Sequence, residues 1–306
     1  MAHPDGMTET LTLAHLSDVH LPPPRAYRGD LRIKRLLGMA NWYARRHRLH
    51  VAASVSAIAA DVAAQAPGHI AVTGDLVNLG LPFEHAAAAR WLGNLGSPAH
   101  VTAIPGNHDL YVPMPDERGI GNRAAFLCRG RTTEGRPAFP ILPRRGRVAP
   151  IGLNSALPVP LFNAWGRVGP EQLRRLGQIL ADLGEQQLVR VVLIHHPPLP
   201  GLTGPRRALG DADELAAVLA RAGAELVLHG HNHRAMTNWA EGPVRPIPVI
   251  GVPSASSGGV HGRVPLAGYN LYRIPADPMA PIEMIARGLS DPGGHVTELR
   301  RLILTP

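Results

Sequence analysis

The chain has 306 residues, enough to bury a substantial core, and its 31 basic and 23 acidic side chains give a formal charge of +8. With 45% hydrophobic and 18% charged residues, and no uninterrupted apolar run long enough to span a bilayer, the composition is that of a soluble globular chain. A single cysteine, Cys128, excludes an intrachain disulfide framework and a thiolate metal cluster within one chain.

The stretch from Met1 to Gly6 has no basic segment followed by an apolar one, so no secretory signal is read and the expected location is the cytoplasm. The positive charge suits an anionic substrate, nucleic acid or an acidic membrane surface. Lys34 is the only lysine, however, and abundant arginine beside abundant alanine, glycine and proline fits a general coding bias equally well. The 16 histidines are the stronger anomaly, because seven of them fall at the ends of strand-like runs.

Thr10 to Leu16 predicts a buried strand ending on Ser17-Asp18-Val19-His20, and Asp18 and His20, two apart, share one side of an extended segment. After the Pro-rich loop from Leu21 to Asp30, residues Leu31 to Leu49 read as a helix. Its stripe of Ile33, Leu36, Leu37, Ala40 and Ala44 is flanked by Arg32, Lys34, Arg35, Arg45, Arg46 and Arg48. With Trp42 and Tyr43 among them, such a helix suits a solvated surface, an anionic membrane or a cap over a lipid-like substrate. A second helix, His50 to Ala66, leads to a short strand, His69-Ile70-Ala71-Val72-Thr73-Gly74-Asp75, which stops on a carboxylate. In open α/β sheets that edge is where ligands bind.

A helix from about Phe83 to Leu95 precedes the strand Val101 to Ile104, which ends in Pro105-Gly106-Asn107-His108-Asp109. Tyr111 to Pro143 reads as loops and a short helix forming a cap over the site. Arg147 to Leu153 is a strand, and a helix opens at Pro170 and continues to about Leu183. The apolar run Leu188 to Ile194, broken only by Arg190, ends on His195-His196-Pro197-Pro198. Asp211 or Asp213 caps a helix to about Ala222, and Glu225 to Leu228 runs into His229-Gly230-His231-Asn232-His233. Val249 to Val252, Tyr269 to Ile274, Ile282 to Ala286 and Val296 to Leu304 read as antiparallel strands completing a second sheet. No internal repeat or linker divides residues 1 to 306, so one domain is expected.

The five segments Asp-x-His, Gly-Asp, Gly-Asn-His-Asp, His-His-Pro and Gly-His-x-His, taken in this order from Leu11 to His233, resemble the calcineurin-like metallophosphoesterase superfamily. Their style is similar to bacterial phosphodiesterases of the cyclic-nucleotide and glycerophosphodiester kind. The resemblance implies a four-layer α/β/β/α sandwich of two mixed sheets, with the metal site at strand carboxyl ends. It implies two divalent or mixed-valence ions, Mn, Fe or Zn, one held by Asp18, His20 and His233, the other by Asn107, His195 and His231, with Asp75 bridging. Hydroxide generated at such a pair would attack phosphorus. His108 resembles the family's catalytic histidine, with Asp109 placed to orient its imidazole. Asn78 stands where the family often has Asp, and His196 and His229 are read as supporting residues.

An anionic phosphoester is therefore the expected substrate, and phosphodiester hydrolysis the expected reaction. Three alternatives stand beside it: a lipid-linked pyrophosphatase resembling UDP-diacylglucosamine hydrolases, working at the inner face of the membrane through the helix at 31–49; a phosphomonoesterase; and a non-catalytic binding protein. Nucleic acid is disfavoured, because no basic module with interleaved aromatics is present. A homodimer is left open.

Overall fold

Leu11–Leu16 (β1) lies between two partners of opposite direction: His69–Val72 (β2) runs parallel to it and Gly268–Ile274 (β9) antiparallel. In this computed structural model, which describes residues 10–23, 32–127, 139–140, 145–259 and 264–305, that trio is the centre of a six-stranded sheet. Its order is β11-β10-β9-β1-β2-β3, the outer members being Val101–Ala103 (β3), Ile282–Leu289 (β10) and Val296–Leu304 (β11). A five-stranded sheet follows the order β4-β5-β6-β8-β7, with Val148–Gly152 (β4), Val189–Leu193 (β5), Leu226–His229 (β6), Met236–Ala240 (β7) and Ile247–Gly251 (β8). All its pairings are parallel except that of β7 with β8, so both sheets are mixed.

The central strands are mostly apolar because both of their faces are covered. Leu13, Ala71 and Ile104 of one sheet meet Val191, Leu193, Leu228 and Ile250 of the other in the layer between the sheets. On the outer face of the first sheet, Val55, Ile58 and Val62 of α3 (Ala52–Ala64) and Ala88 and Leu92 of α4 (Pro82–Leu95) pack on Leu16, Ile70 and Val72. On the outer face of the second, Leu173, Leu176, Leu180 and Leu183 of α6 (Pro170–Glu185) join Leu215, Val218 and Leu219 of α7 (Ala212–Ala222). That three-and-four spacing is the helical period read from the sequence. The layers are therefore α/β/β/α.

Three differences from the sequence reading have physical causes. β9, β10 and β11 return to the first sheet, and only β8 joins the second; non-local pairing leaves no local sequence signal. β7 was not expected, since its MTNWA run exposes Thr237 and Trp239 at a sheet edge and carries little apolar pattern. The basic helix is α1 (Ile33–Asn41), followed by a π-helical turn (Trp42–Arg46) and a short α2 (His47–Leu49). Its apolar stripe is not packed inward: Ile33 is 69% exposed, while Arg35 is buried and donates to the carbonyls of Leu79 and Gly80.

Between β3 and β4 the described chain forms two 3-10 turns and the short helix α5 (Ala124–Leu127). Cys128 and Leu31 lie outside the described residues. No helix among those described is long and apolar enough to cross a membrane.

Candidate metal centre

Each expected ligand stands just past a strand that belongs to the layered core. Asp18 and His20 follow β1, Asp75 follows β2, Asn107 follows β3, His195 follows β5, and His231 and His233 follow β6. The backbone there is unusual. Asp18, His20, Asp75, His231 and His233 all have positive φ, between 42° and 66°. Non-glycine residues rarely adopt that region, and such strain concentrates where a site demands a particular side-chain direction. Two glycines make room for these turns: a Cβ at Gly106 would strike the Asp75 carboxylate, and one at Gly230 would strike the Ser17 hydroxyl.

The seven side chains converge in two facing sets. In one, His233 Nε2 lies 3.1 Å from Asp18 Oδ1 and 3.3 Å from His20 Nε2, and His20 Nε2 is 3.9 Å from Asp18 Oδ1. In the other, Asn107 Oδ1 lies 2.9 Å from His231 Nδ1 and 3.1 Å from His195 Nε2. Asp75 Oδ2 stands between them, 3.8 Å from His20 Nε2 and 3.5 Å from His195 Nε2. All but His233 are buried.

Carbonyl groups behind the imidazoles set their tautomers. His195 Nδ1 donates to Thr73 O at 2.6 Å and His20 Nδ1 to Val77 O at 3.3 Å, so in the neutral rings both Nε2 lone pairs face inward. Those lone pairs meet carboxylate oxygens and the Asn107 oxygen, acceptors facing acceptors. Asp18 Oδ1 is buried without a hydrogen-bond partner. An all-nitrogen-and-oxygen set of converging lone pairs fits divalent cations, with no thiolate to narrow the choice of metal.

Electrostatics point the same way. Burial, together with the nearby Asp18 and Asp109 carboxylates, pushes the Asp75 carboxyl up despite the opposing effect of His195. Burial works against the charged form of Asp18, but His233 outweighs it and holds that carboxyl below its usual range. Burial disfavours charge on His195, yet Asp75 and Asp18 raise its pKa above the ordinary histidine value.

His108 sits beside the sets, its own nitrogen within 4.8 Å of ligand atoms of His20 and Asp75. Its backbone N–H donates to Asp75 Oδ1 at 2.7 Å, and its ring Nδ1 donates to Asn78 O at 2.6 Å. Asp109 does not orient this ring, contrary to the expectation from sequence. Its carboxylate instead accepts from the backbone N–H groups of Gly106, Leu76 and Val77 and lies 2.9 Å from the buried Arg123. The adjacency of two residues in sequence directs their side chains apart; the orienting group is the Asn78 carbonyl.

Supporting residues, some of them outside the motifs, complete the arrangement. Ser254 and Ser256, buried after β8, both donate to Asp18 O, at 2.6 and 3.1 Å. His196 donates from Nε2 to Ala164 O and accepts from Ser155 at 2.7 Å, and the buried His229 Nδ1 lies 3.2 Å from Gly230 O. A cavity of about 560 Å³ opens onto Asn107 and His108. Of the stretch 111–143, only Tyr111 lines it among the described residues; α1, the π-helical turn and residues 159–164 form most of the wall. Arg46 reaches in from that turn, and Arg207 donates to His231 O. An arginine spaced onto a solvated helix face gave no sign of this placement.

A fold of two mixed sheets carrying converging aspartates and histidines at its strand ends is the architecture of metal-dependent phosphoesterases. Residues 11–235 match the family described as Calcineurin-like phosphoesterase, and this chain belongs to that family. It is 30% identical over 236 residues to a probable cyclic nucleotide phosphodiesterase of Synechococcus sp., covering 75% of this chain and 76% of that one. It is 28% identical over 258 residues to a glycerophosphodiester phosphodiesterase of Enterobacter lignolyticus, covering 78% and 77%. Among solved structures it resembles a dimetal phosphatase from Danio rerio, with TM-score 0.64 and 13% identity, over 96% of this chain and 99% of that one. A purple acid phosphatase from yellow lupin has TM-score 0.59 and 11% identity, over 96% of this chain and 53% of the other. These two likenesses concern the fold.

Proposed function

We propose that the chain is a metal-dependent phosphodiesterase. The observation that carries this is the pair of converging ligand sets that share Asp75 at the mouth of a cationic cavity. The names of the two bacterial relatives support the diester over the monoester.

In this reading Asp18, His20 and His233 would hold one ion, Asn107, His195 and His231 the other, with Asp75 shared by both sets. The ions, when bound, would supply Lewis-acid activation of water and neutralise charge developing on phosphorus. The chain's own residues do the rest. The backbone N–H of His108 donates to Asp75 Oδ1 and fixes the orientation of that carboxylate. With Nδ1 committed to Asn78 O, the neutral His108 ring turns its Nε2 lone pair to the cavity, a position from which it can take up a proton and, once protonated, pass it to the leaving group. Burial, then the neighbouring Arg46, holds His108 well below the ordinary histidine pKa, so its resting form is neutral.

The test is hydrolysis of bis(p-nitrophenyl) phosphate and of p-nitrophenyl phosphate by chelator-stripped protein, back-titrated with Mn²⁺, Zn²⁺ and Fe²⁺, with Asn107→Ala as control. Metal-restored activity favouring the diester and absent from the variant is the expected result. Activity on the monoester alone would refute the diester assignment.

A second reading, a lipid-linked pyrophosphatase touching the membrane, is favoured by one feature. Ile33, Leu36, Leu37 and Tyr43 are 69%, 43%, 46% and 55% exposed on the segment that walls the cavity. Unchanged vesicle binding after Ile33→Glu and Leu36→Glu substitution would remove it.

A further inference from the structure

We infer that Arg46 is a substrate-binding residue that contacts a phosphoryl oxygen, brought to the site by the π-helical turn. This rests on the phosphoesterase reading and adds a residue to it. The turn at Trp42–Arg46 spans five residues per hydrogen bond, the N–H of His47 returning to Trp42 O. Such a turn shifts the phase of the side chains that follow, and these turns recur at functional sites. Trp42 is thereby buried and Arg46 is aimed inward, whereas Arg45 and Arg48 on either side stay exposed.

The contacts of Arg46 set it apart from the other cations of the cavity wall. Lys34 Nζ donates to the carbonyls of Tyr111 and Val159, both at 2.7 Å, and so is committed to joining two loops. Arg207 donates to His231 O. The Arg46 guanidinium finds only imidazoles: His108 Nε2 at 2.9 Å, His20 Nδ1 at 3.2 Å and His50 Nε2 at 3.4 Å. Among the described residues it has no carboxylate within ion-pair distance and no carbonyl acceptor.

Those imidazole contacts use few of its donors. His20 Nδ1 is itself a donor to Val77 O and offers Arg46 nothing. His108 Nε2 is an acceptor, because Nδ1 already donates to Asn78 O. A guanidinium carries five N–H donors in a planar fork that matches a phosphate, and desolvated charges need a counter-charge. With ions in the two ligand sets, a third group of positive charge beside them requires an anion between. Among the described residues, no Asp or Glu lines the cavity. A phosphoryl oxygen lying between the ions and Arg46 meets these demands.

The experiment uses Mn²⁺-loaded protein, with inorganic phosphate as the probe in isothermal titration calorimetry and bis(p-nitrophenyl) phosphate as substrate. Arg46→Met and Arg46→Lys are compared with wild type, with bound metal and thermal midpoint measured for each. Expected are unchanged metal content, phosphate affinity weakened about 10- to 100-fold in R46M, kcat/KM lowered about 10²–10³-fold, and partial recovery in R46K. Phosphate affinity equal to wild type in a folded R46M would overturn the inference, as would loss of metal in both variants, which would make Arg46 a support for His20. If wild type binds phosphate through Arg46 yet hydrolyses no phosphoester, the phosphoesterase reading fails and the Arg46 contact stands.

Discussion

Five of the seven converging side chains hang from backbone in the left-handed region, an arrangement that costs about 1–2 kcal/mol per residue in an isolated chain. The layered core on either side imposes it, so these positions are stiff before any ligand arrives. Asp75 is the residue on which both sets depend. Asp75→Ala is expected to empty both ion sites, whereas His108→Ala should keep metal content near wild type and lower turnover by about 10²–10⁴-fold. Elemental analysis beside kcat separates the two, and equal metal loss would make His108 a ligand. At this scale the sequence was informative, because each ligand is a polar residue abruptly ending an apolar run. It was silent on Arg46, Ser254 and Ser256, whose chemistry depends on a π-helical turn and a loop after β8 rather than on any local pattern. It misdirected on Asp109, where proximity in the chain suggested a contact that the backbone turns away.

The ends of α3 offer two tests that leave the site untouched. Ala66 follows the cap residue Gln65 with φ of 46°, exposed, immediately before Pro67. Glycine is the residue suited to that position, so Ala66→Gly should raise stability by about 0.5–1 kcal/mol, read from the midpoint of urea unfolding. Asp61, on the same helix, receives Arg287 of β10 through both carboxylate oxygens, at 2.7 and 2.8 Å, and Tyr269 at 2.6 Å. Burial opposes its charge, but these hydrogen bonds prevail and hold Asp61 below the ordinary carboxyl pKa. A depressed folded-state pKa gives stability that is complete above the unfolded value and vanishes as pH falls through the folded one. The pair is partly solvated, so Asp61→Asn should cost about 1 kcal/mol at pH 6, with the gap from wild type closing below about pH 4. A gap that persisted at pH 2 would mean that packing, not charge, holds the pair. Helices α3, α4, α6 and α7 were legible from their composition and flanking residues, the start of α6 from Pro170 and that of α7 from its Asp cap, whereas α1 misled, since its apolar residues face outward and its buried residue is Arg35.

For the whole molecule, the order of the sheets matters more than the list of strands. The strands were readable as apolar runs, but their membership was not: β9 to β11 close the first sheet, and nothing local distinguishes that from joining the second. A shortened chain ending at residue 259 should therefore leave the edge of β1 unpaired. It is expected to bind less than one Mn²⁺ ion per chain and to expose its apolar layer to a hydrophobic dye, measured by elemental analysis and fluorescence. Two tightly held ions in that shortened chain would show the centre to be independent of β9.

The position of β1 also bears on how the protein is made. Asp18 and His20 emerge early from the ribosome, but the strand that closes their sheet, paired as Leu11 with Ile274, follows about 250 residues later. The serines that grip Asp18 O come almost as late. The nascent chain therefore carries all seven ligands once His233 is made but still lacks the strand and serines that brace Asp18, so a rigid centre forms only after β9 has left the ribosome.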